Sequence, residues 1–145
     1  MSKIDLIRTA WNLDNTEAER AGYLSDDFQW TDELGSPAMD KEGWLAMSRL
    51  MQSAFPDLSY AFEDIRERGE CLEVTGRFAG TFSNDFDLSA LGMGVIPASG
   101  SPVNFPSSTA RVCFDGEKIL EVHALDTGPD AGMTGLFKAL GSTPN

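Results

Sequence analysis

The sequence predicts a mixed α+β domain, and three observations carry that prediction. Apolar residues recur at helical spacing as far as Ala54, then alternate with polar ones from Leu58 onward. Asp115-Gly116, flanked by alternating runs, is the sequence signature of a tight antiparallel hairpin. Helices first, hairpins after and a closing helix make one sheet with helices packed on it rather than alternating parallel units.

Ile4, Ile7 and Trp11, widened by Leu6, Ala10 and Leu13, form one stripe and predict a first helix over 3–13. Asp14-Asn15 breaks it. Thr16-Glu17-Ala18-Glu19 reads as a capping box opening a short second helix that runs to about Leu24. Phe28, Trp30 and Asp32 alternate with Gln29 and Thr31, as in a short strand. Asp40 is placed to cap a third helix with Met47, Leu50, Met51 and Ala54 on its apolar face, and Pro56-Asp57 stops it.

Tyr60 and Phe62 then alternate with polar residues up to the turn at Arg68-Gly69-Glu70. Beyond it Leu72, Val74, Phe78 and Phe82 share one strand face with Gly76 and Gly80, glycines that indicate bends or a close approach of another backbone. The stretch from Ser83 to Pro102 reads as a long loop whose apolar residues, Phe86, Leu88, Leu91, Met93, Val95 and Ile96, fold it back onto the domain. Val103–Phe114 is a strand in which Pro106 forces an edge or a bulge. A last strand runs from Lys118 to about Asp126. Asp130 then caps a final helix, with Met133, Leu136, Phe137 and Leu140 on one face and Gly141 at its end.

Bulk properties narrow the partners. With 145 residues, 41% hydrophobic and 23% charged, one sizeable core is expected without metal or disulfide support. A net charge of −12 argues against nucleic acid and anionic membrane surfaces. No apolar run is long enough to span a bilayer, and a cytoplasmic location is the default expectation. Cys71 and Cys113 lie inside strands and read as free buried thiols. One histidine and no Cys-x-x-Cys leave no metal site to propose, and no cofactor motif has its structural context.

Several strings then resemble the SnoaL-like polyketide cyclase group of the nuclear-transport-factor-2-like (NTF2-like) superfamily, which includes ketosteroid isomerases. They are Ala54-Phe55-Pro56-Asp57-Leu58, Phe78-Ala79-Gly80-Thr81-Phe82, Ile96-Pro97-Ala98-Ser99-Gly100-Ser101-Pro102-Val103 and Asp115-Gly116-Glu117-Lys118-Ile119-Leu120-Glu121, in the family's order. The resemblance covers roughly residues 4–127 of a single domain over 1–145. It implies a cone-shaped fold, with a strongly curved antiparallel sheet on N-terminal helices and a C-terminal helix at roughly 131–141. It also implies an apolar pocket for a small hydrophobic molecule and a homodimer formed through the outer sheet face. Phe82 stands where the family often has histidine, and His123 where it often has tryptophan.

Three residues are candidates for chemistry. Asp32 shares strand parity with Phe28 and Trp30, where burial would raise its carboxyl pKa; it is equally placed to form the turn before Gly35. Asp126 lies near the position where the SnoaL-like group carries its acid/base, although an aspartate before Gly-Pro also forms turns. His123, the one histidine, is a candidate acid or oxyanion partner, or else a hydrogen-bonded wall residue. Strict alternation sets His123 and Asp126 on opposite faces unless a bulge intervenes. Trp11, Phe28, Trp30, Tyr60, Phe78 and Met93 are the candidate substrate-binding wall. The expected activity is a cofactor-independent cyclase or isomerase acting on a small hydrophobic carbonyl compound. The alternative is a noncatalytic domain for hydrophobic-ligand binding or dimerisation.

Overall fold

The computed structural model describes residues 2–128 and 131–141. Helix α1 (Lys3–Ala10) opens under a cap in which the Ser2 hydroxyl accepts the Asp5 amide at 3.1 Å. Helix α2 (Glu17–Ala21) opens in the same way, with Thr16 accepting from Glu19 at 3.2 Å. Both helices end earlier than their apolar stripes suggest. The chain instead enters β1 (Leu24–Asp32) directly, because Leu24 is wholly buried and the Ile119 amide donates to the Tyr23 carbonyl at 2.9 Å.

A two-residue strand β2 (Met39–Asp40) pairs with β1 and leads into α3 (Lys41–Ala54), whose first turn is capped by Asp40 accepting from Gly43 at 2.8 Å. Arg20 ties the three helices together. It is 2% exposed, donates to the Ala10 carbonyl and the Ser48 hydroxyl at 2.9 Å each, and sits 5.6 Å from the Trp44 ring. Burial lowers its pKa, against the opposing charge of Glu17.

The long hairpin β3 (Ser59–Arg68) and β4 (Cys71–Thr81) follows, turned at Gly69 with φ +64°. The segment after it folds back as expected: β5 (Phe86–Asp87) and β6 (Val95–Ile96) pair, and Phe86, Leu88 and Ile96 are fully buried. Pro106 splits the next run into β7 (Pro102–Asn104), paired to β4, and β8 (Ser108–Asp115). Gly116, at φ +60°, turns β8 into β9 (Lys118–Ala124). Helix α4 (Gly132–Leu140) ends at Gly141, φ +71°. Pro129 and the Asp130 cap lie outside the described residues, as do the side chains of Leu91 and Met133.

The main sheet runs β2-β1-β9-β8-β4-β3, with β1 parallel to β9 and the other neighbours antiparallel. Register shifts in β1, β3 and between β8 and β9 bend it into a curled half-barrel. Two packed clusters fill the concave side. One joins Ile7, Leu24, Phe28 and Leu45 to Leu72, Val74, Val112 and Val122; the other gathers Phe55, Phe82, Phe86, Leu88, Ile96 and Leu140.

The cysteines correct the expectation of free thiols: Cys71 and Cys113 form a disulfide, with Cα atoms 4.4 Å apart. Leu72 pairs with Val112, so the cysteines one step further along β4 and β8 face each other directly. That register cannot be read from residues separated by 42 positions.

Candidate active site

Cross-strand pairing sorts the side chains into two faces. On the concave face Trp30 lies beside Val122, Val112 and Leu72, and the next row is Asp32, Ala124, Ala110 and Val74. On the convex face Thr31, His123, Arg111, Glu73 and Arg66 form a single polar row.

His123 belongs to that convex row. The distance from its Nδ1 to the Thr31 hydroxyl is 2.6 Å and from its Nε2 to the Glu33 carboxylate 2.9 Å. No bulge interrupts β9 between His123 and Ala124, so the ring of His123, a candidate acid or oxyanion partner, stays on the outer side of the sheet.

Asp32 has concave parity, but its carboxylate turns back on its own chain. Oδ1 accepts the amides of Leu34 at 3.0 Å and Ser36 at 3.1 Å. Slight burial pushes its pKa up, but hydrogen bonds from the Ser36 hydroxyl and from the Ser36 and Leu34 amides, with the charge of His123, outweigh it and leave the pKa below the ordinary carboxylate value. The raised pKa that a buried base would need is not what this setting produces. Asp32 forms the turn.

Asp126 is half-buried just beyond β9, and its Oδ2 accepts the Thr109 amide at 2.8 Å. Its charge acts on Tyr60, a wall residue of β3. Burial, Glu63 and Asp126 together push the Tyr60 phenol up to about 12. Glu63 is itself held by the Ser107 hydroxyl. Tyr60 owes its position to Gly76 across the hairpin: a Cβ there would lie 2.6 Å from the phenol oxygen and 2.5 Å from the Ala61 carbonyl. The close approach indicated by that glycine is made by a side chain as well as by a backbone.

A cleft of about 280 Å³ opens between the end of α1 and the start of β3, lined by Arg8, Trp11, Asn12, Leu58, Tyr60 and Phe62 with the adjoining Leu13, Asp14 and Ser59. Its volume is near the lower end of the roughly 300–1,000 Å³ usual for ligand sites, enough for one small ring system. Tyr60 packs edge-on to Phe62 at 4.9 Å and against Phe78 at 4.7 Å, while Trp11 meets Trp44 at 5.5 Å. A shallower polar concavity of about 490 Å³ on the outer side of α1 shares Arg8 and Asn12.

Of the six predicted wall residues, Trp11 and Tyr60 line the cleft. Phe28 is 1% exposed and belongs to the first core cluster, against which Trp30 packs; Phe78 and Met93 pack against the second. Arg8 and Phe62 were not among the expected site residues. Phe62 shares alternation with Tyr60, a signal in plain view, whereas nothing in the sequence marks Arg8 as facing β3. Among the described residues no group of three His, Cys, Asp or Glu side chains could hold a metal ion.

A family model for the SnoaL-like domain matches residues 5–122. No curated protein matches the chain. Among solved structures, a SnoaL-like protein from Jannaschia sp. CCS1 superposes with a TM-score of 0.71 at 16% identity, over 97% of this chain and 92% of the other. IdmH of Streptomyces antibioticus, a candidate polyketide cyclase, gives 0.67 at 20% identity, over 86% and 91%. A Catenulispora acidiphila protein with a ketosteroid isomerase-like fold gives 0.65 at 10% identity, over 96% and 92%. At such identities the likeness is one of fold. The family model spans most of the chain and the half-barrel is the family's own, so this chain belongs to the SnoaL-like domain family.

Proposed function

We propose that the chain is a cofactor-independent cyclase or isomerase in which Asp126 removes a proton beside the carbonyl of a small hydrophobic compound held in the aromatic cleft. Tyr60 then donates a hydrogen bond to the enolate oxygen as charge develops there; either the enolate carbon attacks a second carbonyl of the same molecule, whose oxygen takes the proton from Asp126, or the enolate takes that proton back at another carbon. The observation that carries this reading is the double position of Tyr60: it lines the cleft and lies within the field of Asp126. A phenol whose pKa is pushed up stays protonated at neutral pH and remains a donor. The Thr109 amide donates to Oδ2 of Asp126 at 2.8 Å and so holds the carboxylate in place. General acid–base assistance of this kind is worth on the order of 10² to 10⁴ in rate.

The test needs no knowledge of the natural substrate. Deuterium uptake by 2-tetralone in D₂O, followed by NMR, reads enolisation directly. The wild-type protein should accelerate it, Asp126→Asn should lose about 10² or more, and His123→Ala and Asp32→Asn should retain it. Acceleration that survives Asp126→Asn but not His123→Ala would overturn the assignment.

A noncatalytic ligand-binding domain is the second reading. It is favoured by the packing of Met93 and Phe78 against the second core cluster, which fills that side of the cone. Binding of 2-tetralone without any exchange would select it. A homodimer through the convex face also belongs to the proposal. Its contact would centre on the row from Thr31 to Arg66, so association should weaken with salt in sedimentation. No described helix is long and apolar enough to cross a membrane. In a cytoplasmic location, the other part of the proposal, the Cys71–Cys113 pair would be held reduced.

A further inference from the structure

Arg8 combines a free charge with a place in an aromatic cleft. The chain carries 23 acidic side chains against 11 lysines and arginines, and five of those cations pair with carboxylates. Lys41 pairs with Asp26, Arg49 with Glu17, Arg66 with Asp64, Arg68 with Glu73 and Arg111 with Glu121. Arg8, like Arg77 and Lys118, has no such partner among the described residues, although Asp5 lies one turn before it and Asp14 lines the same cleft; of the three, Arg8 alone lines the cleft. Its guanidinium stands 6.0 Å from the Phe62 ring centroid, inside the cleft wall.

We infer that the cleft takes an aromatic compound bearing an anionic oxygen group, a carboxylate or an ionised enol, with that group on Arg8 and the ring between Trp11 and Phe62. This rests on the cleft being the substrate site, as proposed above, and deepens it by naming the substrate class. A planar guanidinium offers a two-pronged set of donors that matches a carboxylate. The flanking rings supply an apolar slot of the right scale, and the volume admits a bicyclic but not a large polycyclic ligand. Elsewhere the net charge of −12 repels anions, so an unpaired cation at an aromatic mouth is a local exception that selects for them. The lining then offers two different polar groups. Arg8 supplies the cation, and the Tyr60 hydroxyl, in the field of Glu63 and Asp126, suits a neutral carbonyl rather than a second anion.

The probes are 3-hydroxy-2-naphthoate and its methyl ester, titrated against the full chain by calorimetry in low and high salt. Wild type should bind the carboxylate about tenfold more tightly than the ester, the scale of one charge-assisted contact. Arg8→Gln should abolish that preference and leave ester binding within about twofold, while Arg8→Lys should keep part of it; added salt should shrink it in wild type. Arg8 is exposed on α1, and circular dichroism checks that each variant is folded. Equal binding of both probes to wild type, or a preference unchanged in Arg8→Gln, overturns the anion assignment while leaving the cleft a ligand site. Binding of neither probe overturns both.

Discussion

Two titratable groups three residues apart on one chain segment meet opposite fates. His123 points to the convex face, where Thr31 and Glu33 hold both ring nitrogens. Asp126 comes off the end of β9 toward the concave side, where one oxygen is fixed by Thr109 and its charge reaches Tyr60. The first environment is a solved hydrogen-bond problem on a wet surface. The second sets a carboxylate within the field of Tyr60, a residue that lines the aromatic cleft. Chemical potential follows from which face a strand presents, not from which residue type titrates nearest neutrality.

The contrast can be broken from either side. The largest effect expected is on the convex face, where the disulfide spans 42 positions: Cys71→Ser, or reduction, should cost about 3–4 kcal/mol in urea unfolding by the loop-entropy account. Next comes the concave face. Gly76→Val should cost about 3 kcal/mol, because the new side chain displaces Tyr60 or parts the β3–β4 hairpin. The same variant should lose ligand binding in the cleft, whereas Cys71→Ser should not.

Smaller effects sharpen the comparison. Folding stability should fall as pH rises from about 10 towards 12: the unfolded Tyr60 ionises near its ordinary value, while the folded one keeps its proton. The contribution is complete below pH 10 and gone above the folded pKa. His123→Ala removes both of its convex contacts and should cost about 1 kcal/mol with no change in cleft binding. Arg111→Ala, which breaks an exposed pair 3.6 Å long, should stay within about 0.5 kcal/mol of wild type.

Much of this was legible in the residues. Asp40 as a cap, Asp115-Gly116 as a turn, Pro106 as an interruption and the buried loop residues Phe86, Leu88 and Ile96 all follow from local rules. Simple alternation also separates His123 from Asp126. What stayed hidden depends on register and on distant packing. The cysteine pairing needs the β4–β8 register, the end of α2 is set by Leu24 joining β9, and the role of Arg8 depends on how α1 crosses β3. Asp32 could be read two ways until its carboxylate was seen bound to the Leu34 and Ser36 amides.

The coupling of Asp126 to Tyr60 is the claim on which the enzymatic reading depends, and phenolate absorbance near 295 nm measures it. Subtracting the titration of Tyr60→Phe from that of wild type isolates Tyr60, with a midpoint expected at about 12. In Asp126→Asn the midpoint should fall, because a neutral amide no longer opposes the phenolate. A Tyr60 midpoint near 10.0, the ordinary phenol value, and the same in both proteins, would contradict the account.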